Sequence, residues 1–241
     1  MLQIKLTISF CILLIGEIAF GQNYEIYVSD VIGHKIIRYD QYGGSPTIFI
    51  QPGAGGLQRP QDLIFLENDS IAIVSGFLND EVKKYHSRTG QYMGTWANAT
   101  RPTRMAIGPG DSLIYVLQWA GSGKVLRFKL DGTFVDEFTT HGIPTSIGLA
   151  WDQLNNLYVS SYNANKIHKF DLLGNYLGVF ADSNVVGPTN IWFENNGNLL
   201  VANFTGNNIT RYDSLGNFLS IYSQGYNSPE GFAYLPNENL L

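Results

Sequence analysis

Residues 102–143 read PTRMAIGPGDSLIYVLQWAGSGKVLRFKLDGTFVDEFTTHGI. Four short runs rich in β-branched and aromatic residues stand in this stretch: one opening at Pro102, then SLIYVLQ, then KVLRFK, then the run around Phe134 and Phe138. Glycine, serine and aspartate separate them, so each reads as a short strand bounded by a turn. The stretch is also one copy of a repeat. Pro60, Pro102, Pro144, Pro188 and Pro229 open similar segments at separations of 42, 42, 44 and 41 residues. Gly90, Gly132, Gly174 and Gly216 recur every 42 residues, inside RTGQY, LDGTF, LLGNY and SLGNF. After each of these glycines a pair of aromatic rings recurs four apart, as in Tyr176 and Phe180, on one face of a strand. Four strands per repeat, here called a to d from the proline onward, at a period near 42 residues, predict an all-β propeller of four-stranded blades. No stretch beyond residue 21 carries apolar residues at helical spacing over more than two turns, which excludes a helical solenoid.

The pattern Pro-x-x-apolar, then Val-x-Asp, then apolar-x-Arg/Lys-aromatic, then Gly-aromatic runs through residues 24–235. In this the chain resembles the NHL-repeat propellers. The acid of Val-x-Asp survives only as Asp30; Gly76, Gln118, Ser161 and Asn203 take its place elsewhere. The resemblance implies nearness to two enzyme groups on similar propellers. Gluconolactonase-like hydrolases hold a divalent ion in the channel through Glu, Asn and Asp; here Asp62, Asn190 and Glu230 have that chemistry. Streptogramin lyases use a channel-side histidine, and none follows a blade proline here.

The N-terminus carries Lys5, an apolar run from Leu6 to Gly16 and a small-residue exit, Ala19-Phe20-Gly21. Residues 1–21 are therefore expected to be a secretory signal peptide cleaved near Gly21, leaving a propeller over 22–241 that is secreted or periplasmic. The run is too short and too interrupted to anchor the chain in a membrane. Cys11, the only cysteine, lies within it, so the mature chain uses neither disulfides nor thiolates. The net charge of −5 is unchanged by loss of Lys5 and Glu17 and argues against a nucleic-acid partner. Tyr24–Asp30 reads as a strand b with no strand a before it, and NENLL at the C-terminus copies strand b of earlier repeats. A six-bladed ring cut short is expected, with a closed five-bladed ring as the alternative, completed by pairing of 229–235 with 24–30.

Antiparallel pairing puts the start of strand a, the end of b and the d-to-a and b-to-c loops on one face, here the top. Two sets of residues there are candidates for ligand binding. Around the channel mouth, the residues after each proline are Gln61-Asp62, Thr103-Arg104, Thr145-Ser146, Thr189-Asn190 and Glu230-Gly231. Asp62, Arg104, Ser146, Asn190 and Glu230 offer charges and hydrogen-bonding groups to a polar ligand, and the same short polar residues are suited to bonding exposed backbone. Just after strand b stand Val31, Phe77, Trp119, Tyr162 and Phe204. The four aromatics form either a stacking platform for a glycan, peptide or protein, or wedges between blades. Tyr39, Tyr85, Phe128, Phe170 and Tyr212 in strand c read as interblade core. The four histidines occupy unlike positions, with His34 and His141 the pair that shares the top face. Loops at 163–165 and 207–208 are asparagine-rich and offer oxygens to calcium. The expectation is a binding scaffold with no cofactor, and calcium or magnesium at Asp62, Asn190 and Glu230 the exception.

Overall fold

The computed structural model describes residues 9–13, 25–66, 70–110 and 112–232. It contains five four-stranded antiparallel sheets, each strand pairing with its neighbour in sequence. Blade one is β1 (Ser9–Leu13), β2 (Glu25–Asp30), β3 (Lys35–Asp40) and β4 (Thr47–Ile50). Blade two is β5 (Pro60–Leu66), β6 (Ile71–Gly76), β7 (Glu81–His86) and β8 (Tyr92–Asn98). Blade three is β9 (Pro102–Ile107), β10 (Ile114–Gln118), β11 (Leu126–Phe128) and β12 (Phe134–Glu137). Blade four is β13 (Ser146–Trp151), β14 (Leu157–Ser161), β15 (Lys166–Phe170) and β16 (Tyr176–Ala181). Blade five is β17 (Pro188–Phe193), β18 (Leu199–Asn203), β19 (Asn208–Tyr212) and β20 (Phe218–Gln224).

Five blades match the alternative count, not the six-bladed expectation. Two further differences concern the ends. The inner position of blade one, read from the sequence as lacking a strand, is held by β1, which pairs with β2 from Ser9 opposite Asp30 to Leu13 opposite Ile26. Residues 229–232 lie elsewhere: Phe232 packs with Leu200, Ala202 and Ile209 of blade five. The rest of the expected leader, its exit at Gly21 and the NENLL ending lie outside the described residues.

The core lies between blades rather than in one central mass. The four largest buried clusters each join two neighbours, as where Trp96 and Val82 of blade two meet Met105, Val116 and Phe128 of blade three. Tyr85, Phe128, Phe170 and Tyr212 of strand c are almost fully buried in these seams. The recurring glycines serve the same seams on the bottom face. Gly174 has φ 81°, a left-handed conformation that favours glycine, and a Cβ there would overlap the carbonyl of Phe138 in the preceding blade. Gly90, Gly132 and Gly216 meet Phe49, Trp96 and Phe180 in the same way.

Candidate functional site: the top face and channel mouth

On the top face a repeated backbone clasp links each blade to the next. A left-handed residue in the b-to-c loop, namely His34, Asp80, Asn165 or Asn207, has φ 54–55°. Its side chain accepts the N–H of the residue before the next inner strand: Arg59 N to His34 Nδ1 at 3.0 Å, Arg101 N to Asp80 Oδ1 at 2.7 Å, Gly187 N to Asn165 Oδ1 at 2.7 Å and Ser228 N to Asn207 Oδ1 at 2.9 Å. The carbonyls of Arg59, Arg101, Thr145 and Gly187 then accept the N–H of Phe77, Trp119, Tyr162 and Phe204. Short polar side chains tolerate a left-handed backbone and bond locally, which explains the asparagines and aspartate at the clasp. Asn165 and Asn207 thus spend their carbonyl oxygens on the protein backbone, and His34 accepts through Nδ1. The calcium reading of those loops loses these two oxygens.

The clasp also fixes the repeat register, and blade four departs from the reading of the sequence. Ser146, not Pro144, pairs with the end of strand b and so matches Pro60, Pro102 and Pro188. The two extra residues precede it, where Gly123 has no side chain to clasp with and Ile143 N bonds the Gly123 carbonyl at 2.8 Å instead. The residues equivalent to Gln61-Asp62 in blade four are consequently Ile147-Gly148. The polar ring is broken there, and Ser146 Oγ turns to the Gln118 carbonyl at 2.9 Å.

The remaining mouth residues have distinct partners. Thr103 and Thr189 donate to the carbonyls of Ser146 and Pro229, the first residues of the next inner segments, at 2.8 and 3.0 Å. Asn190 Nδ2 donates to the Phe232 carbonyl at 2.9 Å. Asp62 reaches the same place in blade three, accepting Met105 N at 2.6 Å while Arg104 Nη1 lies 3.3 Å from its other oxygen. Burial raises the Asp62 pKa to about 6 against the pull of Arg104 and the backbone N–H groups. Burial likewise raises Glu230 to about 7, opposed by Arg104 and then Arg59. Asp62, Arg104, Arg59 and Glu230 therefore make one electrostatic cluster. Of the three residues proposed for a divalent cation, Asp62 is already occupied by an N–H and a guanidinium, whereas Asn190 donates to backbone through Nδ2 alone and Glu230 Oε2 has no hydrogen-bond partner. Among the described residues no group of three His, Cys, Asp or Glu is placed to hold a metal ion.

Above the mouth the aromatic register closes into a continuous belt. Ring centroids of Phe77 and Trp119 are 5.9 Å apart, those of Trp119 and Tyr162 5.7 Å, and those of Tyr162 and Phe204 5.9 Å. Each ring is half-buried. Trp119 and Tyr162 pack on buried Val31 and Ile147, which come from blades one and four. Each ring thus touches its neighbour and the solvent at once. At the Phe77 end the guanidinium carbons of Arg59 and Arg101 lie 5.8 and 5.6 Å from the ring centroid.

Comparison with known proteins settles the architecture. No family model matches the chain, and no curated protein does. Solved structures do. The fold is that of a β-propeller. A chain of a nidogen/laminin complex has a TM-score of 0.72 at 16% identity, over 91% of this chain and 84% of its own. A putative gluconolactonase has a TM-score of 0.70 at 14% identity, over 95% and 86%. Virginiamycin B lyase from Staphylococcus aureus has a TM-score of 0.64 at 16% identity, over 87% and 70%. Identities this low bear on fold alone.

The sequence reading missed Arg59, Arg101 and the meeting of two histidines. His141 stacks on Tyr176 at 4.6 Å, and Tyr176 Oη is 2.9 Å from His168 Nδ1. Burial, then the neighbouring His141 and Lys166, lower His168 to a pKa of about 4, so its ring is neutral near pH 7. A clue to the arginines lay in the repeat alignment: both immediately precede a blade proline.

Proposed function

We propose that the chain is an NHL-type propeller, exported after loss of residues 1–21, that binds a glycan, peptide or protein through its top face. The observation that carries the reading is the belt from Phe77 to Phe204, with four half-exposed rings in edge or tilted contact around a common mouth. A ring that is apolar on one side and wet on the other suits stacking by a sugar or side chain, and a row of them suits an extended ligand. Binding of wild-type protein and of Trp119→Ala on a glycan and peptide array, with melting curves for both, tests this. Loss of array signal beyond what the melting shift explains supports it; an unchanged profile defeats it.

Export has a structural consequence. Cleavage at Gly21 would remove β1 and bare the edge of β2, which another strand would have to cover. Asn190 holds Phe232 as Asp62 holds Met105, so Pro229–Phe232 sits as the inner segment of a following blade would. The mass of protein recovered outside the cell tests whether residues 1–21 are removed.

A second reading, a lactonase-like or lyase-like enzyme, is favoured by the solved structures resembling this one and by Glu230, whose carboxyl can give or take a proton near neutral pH. Calcium or magnesium bound in stoichiometric amount, and lost in Glu230→Gln, would raise this reading above the first.

A further inference from the structure

The residue before the inner strand has a left-handed backbone in blades two to five and before Pro229: Arg59 at φ 49°, Arg101 at 46°, Thr145 at 55°, Gly187 at 61° and Ser228 at 55°. That conformation recurs at all five positions, including Thr145, where no side chain clasps it, and it is strained for any residue that carries a Cβ. Glycine adopts it most readily, and serine and threonine stand at two further positions, so nothing in the backbone calls for arginine at the other two. Both arginines lean on one ring, Phe77, at the end of the belt. Arg101 is exposed, and Arg59 Nε is shielded from solvent without a hydrogen-bond partner. Glu230, the acid that senses Arg59, keeps its own Oε2 unbonded rather than pairing with that guanidinium.

Guanidinium forks match the two oxygens of a carboxylate or the face of a sulfate, and stacking on an aromatic ring holds a fork in place without neutralising it. The belt is graded in consequence. Phe77 lies between Arg59 and Arg101, whereas Phe204 lies between Gly187 and Ser228 in the repeat. An extended ligand laid along it would meet cationic groups at one end only.

We propose that Arg59, Phe77 and Arg101 form a subsite for an acidic substituent, carboxylate or sulfate, of an oligosaccharide lying along the belt. The proposal rests on the top-face binding reading and adds the ligand's charge and polarity. Titration calorimetry in 150 mM salt tests it with four probes: a tetragalacturonate, a heparin-derived tetrasaccharide, and neutral cellotetraose and chitotetraose. Wild-type protein should bind at least one acidic probe about tenfold more tightly than either neutral one, the preferred probe telling carboxylate from sulfate. Arg59→Gln/Arg101→Gln should lose that preference while keeping any neutral binding, and Trp119→Ala should weaken acidic binding too. Should the double variant fail to fold, Arg101→Gln alone, at an exposed position, should reduce acidic binding at least threefold. Neutral binding without acidic preference overturns this proposal and leaves the top-face reading standing. Absence of binding to all four overturns this proposal, while the array test continues to judge the peptide and protein form of the reading. Acidic binding indifferent to Trp119→Ala marks diffuse charge attraction and also overturns it.

Discussion

The two faces of the propeller solve the same joining problem with different freedom. On the bottom, the c-to-d turns DLLGN and DSLGN are near copies. In each, the aspartate accepts two backbone N–H groups and the asparagine amide, as Asp171 does from Leu173, Asn175 N and Asn175 Nδ2 at 2.8–2.9 Å. Each turn glycine then abuts the preceding blade. The glycine is the position of that turn that closure fixes in all four blades, whereas Leu172, Leu173 and Leu215 are exposed. On the top, closure is done by backbone groups and one clasp side chain. The residue before each inner strand varies, being Arg, Arg, Thr, Gly and Ser in turn; Thr145 accepts Asn163 N at 3.1 Å and a Cβ at Gly187 would meet Thr205, while neither Arg59 nor Arg101 is set by such a contact. Repetition marks where the fold constrains, and variation marks where a ligand can be accommodated.

Substitution of the bottom glycine should be the most damaging test of this contrast. Gly174→Val combines a left-handed φ of 81° with overlap against the Phe138 carbonyl. Loss of about 3 kcal/mol or more is expected, a fall in Tm on the order of 6–12 °C, with top-face binding unaltered where the protein remains folded. Thermal melting beside the array measures both, and a fall below 2 °C would show that the seam can yield.

Trp119→Ala should divide its effect. Half of the ring is already wet, so a stability loss of about 2 kcal/mol is expected, less than for a fully buried tryptophan. If the ring is a central contact, binding should weaken by about 2 kcal/mol, roughly thirtyfold. A larger stability loss with intact binding would make the top as structural as the bottom.

The clasp should cost less. Asn165→Ala removes the acceptor for Gly187 N and places alanine at φ 54°, for a loss of about 1–2 kcal/mol in denaturant unfolding. Asn165→Asp keeps the acceptor and should cost under about 1 kcal/mol, which separates the hydrogen bond from the conformation.

Glu230→Gln should change the pH dependence most and stability at low pH least. The folded-state pKa of about 7 stands above the ordinary 4.5, so folding takes up a proton between these values and stability falls as pH rises through 7. The glutamine variant should flatten that part of the profile and melt higher than wild type at pH 8. Asp62, also raised, contributes in the same direction between its ordinary value and about 6, whereas His168, lowered to about 4, loses stability as pH falls below 6.5. Both slopes remain in the variant, so the difference between the two proteins isolates Glu230. Identical profiles from pH 4 to 8 would show that its carboxyl is solvated.

The sequence by itself determined the four-stranded blade, the antiparallel order, the turn glycines and four of the five strand-c rings read as core, Tyr39 being only half-buried. These depend on local periodicity and on residues whose conformational needs are intrinsic. Tertiary structure alone decided that blade four begins at Ser146, because a two-residue shift in an irregular loop leaves the hydrophobic pattern intact and shows only in the strand pairing. It also decided which mouth residues are spent on backbone, since whether Thr103, Asn190 or Asp62 is available depends on a partner some 42 residues away. The convergence of Arg59 and Arg101 on Phe77 belongs to the same class. Sequence spacing gives each arginine its place in a repeat, but only the packing of adjacent blades brings side chains from two repeats to one ring.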